Sequence, residues 1–132
     1  MQTHAAACSC GQLMVEATGD PVRVSVCHCL NCQKRSGSAF AAQARWPAEQ
    51  VELAGEFREW SHVADSGARA TFRFCPACGS TVAYSSEGMP GMVAVALGAF
   101  ADPTFPPPRI SVFETRRHPW VSVTGAEVEH LD

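Results

Sequence analysis

The sequence predicts an all-β fold of mostly antiparallel strands. Three observations predict it: short segments in which apolar and polar residues alternate, Gly, Pro and Asp groups that punctuate them, and the weakness of every helical signal. Residues 13–17 form the first such segment, and Gly19, Asp20 and Pro21 end it. Residues 22–26 alternate as a half-buried strand does and run straight into Cys27. Residues 38–46 form another strand, stopped by Pro47. Residues 51–53 and 57–60 flank Gly55 like the arms of a hairpin. Residues 69–74 alternate and deliver Cys75; residues 81–84 lead away from Cys78. The apolar run 92–97 reads as a buried strand, 110–113 as another, and 121–123 as the last before a polar tail. Helical turns are expected only at 47–50 and 30–35, the latter with Lys34 and Arg35 in its last turn and Gly37 just beyond. Residues 85–91 and the proline-rich 102–108 read as loops.

The length of 132 residues favours one domain, 1–132, with its core at about 8–120. No apolar run approaches the roughly 20 residues of a membrane helix. The start has no basic stretch followed by an apolar one, so the expectation is no signal peptide and a cytoplasmic setting. There, thiols bind metal more often than they pair. The formal charge is −3 with Lys34 the single lysine, which is not the basic footprint of a nucleic-acid binder. The other nine cations are arginines, whose planar forks suit carboxylates.

The seven cysteines fall in three clusters: Cys8 and Cys10; Cys27, Cys29 and Cys32; Cys75 and Cys78. A disulfide framework would leave one thiol over. Tetrahedral zinc with Zn–S near 2.3 Å sets neighbouring sulfurs about 3.8 Å apart. Residues two apart on a strand share a face about 6.6 Å apart, so Cys8 and Cys10 need a bent backbone. Gly11 follows at once and permits a turn of positive φ. Cys75-Pro76-Ala77-Cys78-Gly79 repeats that grammar. Two such knuckles at strand ends can close one four-thiolate site; two metal-free thiol pairs are the alternative. Structural zinc of this kind binds with an apparent ~10–16 kcal/mol at neutral pH, part of which becomes folding energy.

Cys27, Cys29 and Cys32 supply three sulfurs within six residues, an open set. His28 points away from its two neighbours if the strand persists, which favours a supporting or packing role over ligation. His28, His62, His118, water or a substrate are the candidates for a fourth ligand. Sulfur-rich coordination blunts the acidity that hydrolytic zinc needs and suits a substrate thiol instead. Ser36-Gly37-Ser38 and His118-Pro119-Trp120 are weaker features, and no phosphate loop, nucleophile elbow or dinucleotide fingerprint is present.

Cys-x-Cys-Gly at 8–11, Cys-His-Cys-x-x-Cys at 27–32, Gly37-Ser38-x-Phe40 and Phe74-Cys-x-x-Cys-Gly79 together resemble the glutathione-dependent formaldehyde-activating enzyme family, which includes centromere protein V. Gly98–Pro103 and Arg117–Trp120 resemble its C-terminal elements, so the likeness runs from about Cys8 to Trp120. It implies a β-tent fold. It also implies a structural zinc on Cys8, Cys10, Cys75 and Cys78 and a catalytic zinc on Cys27, Cys29 and Cys32, the second expected to be the more easily lost. Many relatives carry a histidine two residues before the aromatic at Phe113, where this chain has Ser111.

The leading functional expectation is a zinc-dependent carbon–sulfur lyase-like enzyme acting on a thiol–aldehyde adduct such as S-hydroxymethylglutathione. Its partner would be a small thiol, glutathione among the candidates, with neither nucleic acid nor membrane. Arg109 and Arg117 are the candidates to hold substrate carboxylates. A non-catalytic zinc-binding interaction module and a redox sensor built on Cys27, Cys29 and Cys32 are the alternatives.

Overall fold

The computed structural model describes residues 1–132. In chain order the elements are β1 (Thr3–Ala7), β2 (Met14–Thr18), β3 (Arg23–Cys27), α1 (Leu30–Ser36), β4 (Ala41–Pro47), β5 (Val51–Ala54), β6 (Arg58–Val63), β7 (Arg69–Phe74), β8 (Thr81–Ser86), β9 (Met92–Ala96), β10 (Ile110–Val112) and β11 (Glu129–His130). Single 3-10 turns lie at Ala48–Gln50, Leu97–Phe100 and Glu114–Arg116. The fold is all-β, as expected. Three strands form one sheet in the order β1-β2-β5, and eight form a second in the order β11-β10-β3-β4-β9-β8-β7-β6. Pairing is antiparallel throughout except where β10 lies parallel to β3 and to β11.

Register decides which side chains share a face. Val24 faces Ala44, Ala44 faces Val95, and Val95 faces Ala83; Trp46 faces Val93. These residues form the back of the large sheet, and they pack on Ala6, Val15 and Ala17 of the small one and on Leu13 just before β2. Trp46 is fully buried in this core and its indole N–H donates to the Gly19 carbonyl at 2.9 Å. The front face carries Ser25, Cys27, Gln43, Arg45, Ala94, Tyr84, Phe72 and Trp60 in adjoining registers. A β-bulge between Arg73 and Phe74 shifts the β7–β8 register just before Cys75, and both Val82 and Ala83 join the core.

Three expectations are corrected. Residues 51–53 and 57–60 are strands but not one hairpin: β5 joins β2, while β6 joins β7. Gly55, at φ +107°, turns the chain out of one sheet and toward the other. Residues 121–123 form no strand; the last strand is the short β11 in the polar tail. β1 was not expected, because Thr-His-Ala-Ala-Ala has no alternation or β-branched run to announce it.

Candidate metal centres

The bent backbone that the cysteine spacing requires is present. Gly11 and Gly79 both sit at positive φ, +86° and +82°, directly after their cysteines. The Cys8 carbonyl accepts from the Gly11 N–H at 3.0 Å, and the Cys75 carbonyl from the Gly79 N–H at 2.8 Å. Across the two knuckles, the Ser9 hydroxyl lies 2.9 Å from that of Ser80, pinning one turn to the other. The sulfurs of Cys8, Cys10, Cys75 and Cys78 all lie within 4.8 Å of one another. Cys8–Cys10 and Cys10–Cys75 separations of 3.6 and 3.7 Å match the edge of a zinc–thiolate tetrahedron.

Backbone and side-chain N–H groups point at these sulfurs. Leu13 N–H donates to Cys8 at 3.3 Å, Ala77 N–H to Cys75 at 3.3 Å, and the Gln12 side-chain amide to Cys75 at 3.0 Å. Such donors favour the thiolate, the form that binds metal. The thiols share charge unequally. Ser80, through its hydroxyl and its backbone N–H, lowers Cys78 to about 5. Cys10 is held up at about 11: the Gln12 backbone lowers it, but contacts with the other three cysteines and desolvation outweigh that. A divalent cation at the centre of the group would replace the shared protons, and four soft sulfur donors at this spacing fit zinc.

Gln12 was not singled out from the sequence. Its amide N–H also donates to the Glu56 carbonyl at 2.7 Å, and its carbonyl accepts from the Glu56 N–H at 2.9 Å. It therefore clamps the β5–β6 connection onto the cysteine group.

Cys27 ends β3, Cys29 caps α1 and Cys32 lies in its first turn. Their sulfurs also lie within 4.8 Å of one another, and no fourth histidine, cysteine or carboxylate joins them. Cys32 N–H donates to the Cys29 sulfur at 3.2 Å. A hydrogen bond from the Cys32 thiol lowers Cys27; the same contact, with burial, raises Cys32, and burial raises Cys29. This trio too has soft donors held close, with a proton distribution that one cation would resolve.

The three histidines considered as a fourth ligand are engaged elsewhere. His28 is fully buried on the opposite side of the strand, with Nε2 2.8 Å from the Ser111 hydroxyl, and burial lowers its pKa. His62 stacks against both Trp60 and Phe72, at ring distances of 5.0 and 5.9 Å. His118 Nε2 lies 2.8 Å from the side-chain Oε1 of Gln33. Gln33 in turn donates to the His28 and Arg116 carbonyls, at 2.8 and 3.1 Å, and so ties α1 to the C-terminal segment. The arginines expected near substrate are also occupied. Arg109 is exposed and pairs with Glu127 at 3.5 Å, while Arg117 donates to the Val121 carbonyl.

Beside the trio, on the front face, lies a polar set that the sequence did not reveal. Gln43 donates to the Ser25 hydroxyl at 2.6 Å and accepts from the Tyr84 hydroxyl at 2.8 Å. Arg45 donates to the same Ser25 hydroxyl at 3.1 Å, and burial lowers its pKa. Burial pushes Tyr84 up to about 12. A cavity of about 440 Å³, lined mainly by apolar residues such as Ala5 and Leu53, lies instead on the three-stranded sheet, with no cysteine in its lining.

No curated protein matches the chain. Among solved structures, it is similar to a Rhodobacter sphaeroides protein determined in structural genomics, with a TM-score of 0.58 and 17% identity over 72% of this chain and 85% of that one. That likeness is one of fold. No helix is long and apolar enough to cross a membrane. The model of the family described as glutathione-dependent formaldehyde-activating enzyme matches residues 3–116, a span that holds all seven cysteines. The chain belongs to the glutathione-dependent formaldehyde-activating enzyme family.

Proposed function

We propose that this chain is a zinc-dependent carbon–sulfur lyase-like enzyme acting on a thiol–aldehyde adduct of the S-hydroxymethylglutathione kind. The observation that carries the reading is the contrast between the two cysteine groups: one offers four sulfurs, the other three with no further protein ligand. Two zinc ions per chain follow, a structural one on Cys8, Cys10, Cys75 and Cys78 and a catalytic one on Cys27, Cys29 and Cys32. The proposal takes 1–132 as one cytoplasmic domain whose partner is a small thiol, glutathione among the candidates.

When bound at the trio, zinc supplies a soft position that takes a thiol as its thiolate. The chain's own residues do the rest. Cys27, Cys29 and Cys32 fix that position, with α1 latched by Gln33 so that Cys32 stays in line with the end of β3. His28 is turned away onto Ser111, so it does not compete with substrate. The sulfur adds to the aldehyde carbon, a C–S bond forms, and the carbonyl π pair moves to oxygen. That oxygen takes up a proton from solvent, equivalent to the one the thiol released. Reversal breaks the same bond. Tyr84 stays protonated through neutral pH and donates to Gln43, so it orders the front face and does not serve as a base.

The test is glutathione and formaldehyde with the wild-type protein and with Cys27→Ser. The expected result is adduct formation by wild type only, with Cys27→Ser folded and holding one zinc. Two zincs retained in that variant would overturn the partition. Failure of glutathione to perturb the spectrum of the cobalt-substituted trio would favour the interaction-module reading instead.

A further inference from the structure

Arg35 lies one helical turn after Cys32 on α1, at the spacing that places two side chains on the same side of a helix. Its guanidinium rests over the rings of Phe72 and Tyr84, 4.8 and 4.7 Å from their centroids. Those rings belong to β7 and β8 and lie 5.1 Å apart, so they form one aromatic floor beneath the cation. An arginine held over two rings in this way loses little freedom when its edge accepts a partner.

The edge has no partner. Nε and Nη2 are both buried with no hydrogen-bond acceptor, and Arg35 forms no ion pair. These are the two nitrogens whose N–H groups point the same way, and together they make the side-on fork that grips a carboxylate at two points. Leaving both unmatched in a buried position is costly, and native structures rarely do it without a reason. The charge environment agrees. Neither Arg35 nor Arg45 has a carboxylate partner.

We propose that Arg35 is the specificity-determining anchor for a carboxylate of the thiol substrate, so that the site selects acidic thiols over neutral ones. The inference rests on the reading of Cys27, Cys29 and Cys32 as a thiol site. Two points of attachment follow for one small molecule: its sulfur at the trio and its carboxylate at the Arg35 fork. Arg45, already bonded to Ser25, adds positive charge beside them.

The experiment uses cobalt-substituted protein, whose ligand-field bands report occupancy of the open position, and two probes of similar size, 3-mercaptopropionate and 2-mercaptoethanol. Wild type is expected to bind the acid more tightly. Arg35→Met is expected to lose about tenfold to hundredfold affinity for 3-mercaptopropionate and to leave 2-mercaptoethanol unchanged. Arg35→Lys, which keeps the charge without the fork, is expected to fall between and serves if the Met variant does not fold. Equal weakening of both thiols would overturn the inference and make Arg35 a counter-charge to the sulfur-rich centre. No change for either would overturn it too. If neither thiol alters the wild-type spectrum, the thiol-site reading itself fails, an outcome separate from the loss of selectivity alone.

Discussion

Replacing Gln12 by Ala tests whether the four-cysteine group is held by its surroundings as well as by its sulfurs. The side chain makes three hydrogen bonds, to the Cys75 sulfur at 3.0 Å, to the Glu56 carbonyl at 2.7 Å and from the Glu56 N–H at 2.9 Å. A bond to a charged acceptor contributes ~1.5–3 kcal/mol; each exposed backbone bond contributes ~0.5 kcal/mol, since water replaces it in the variant. The total is roughly 2.5–4 kcal/mol of stability. Loss of a group that bonds to a metal ligand lowers metal affinity by about tenfold to hundredfold. A Cys27→Ser background isolates the effect, because only the four-cysteine group then binds zinc. Competition with a chromophoric chelator gives the affinity, and urea unfolding gives the stability. Gln12→Ala with unchanged zinc affinity in that background would refute the reasoning, since the Cys75 contact would then add nothing to the site.

Trp46→Ala removes the largest fully buried side chain and its bond to Gly19, and is expected to cost about 3–5 kcal/mol, read as a fall in the urea midpoint at unchanged zinc content. Tyr84 is the one tyrosine in the chain, so absorbance at 295 nm titrates it alone. The folded protein should titrate near 12 and the denatured one near 10. A folded pKa above the unfolded one means stability is complete below pH 10 and falls as pH rises toward 12, by about 3 kcal/mol, and Tyr84→Phe should remove that slope. A folded midpoint near 10 would contradict the buried bond to Gln43.

The cysteine groups were legible because spacing encodes them: Cys8 and Cys10, and Cys75 and Cys78, each carry their own glycine turn, and local geometry brings the sulfurs together. The placement of His28 followed from strand alternation and holds in its bond to Ser111. What the sequence concealed depends on partners distant along the chain. Gly55 marks a turn but not which sheet its flanking strands join. β1 pairs through an alanine-rich segment whose side chains carry almost no strand signal. Val121 is buried, but no ladder forms around residues 121–123; β11 closes the sheet edge with two residues, too few to read from a pattern. Arg35 looked like a residue ending a short helix, since its floor comes from Phe72 and Tyr84, nearly 40 and 50 residues away. Arg109 and Arg117 were the more visible arginines, and their own partners occupy them.

The central claim is that one group is closed by four sulfurs while the other keeps a place for a substrate thiol. X-ray absorption at the zinc edge measures this directly as sulfur ligands per metal. With four cysteines in one group and three in the other, the fully loaded protein should average three and a half sulfurs per zinc. Saturating glutathione should raise that average to four. An average that stays at its starting value when glutathione is added would contradict the account.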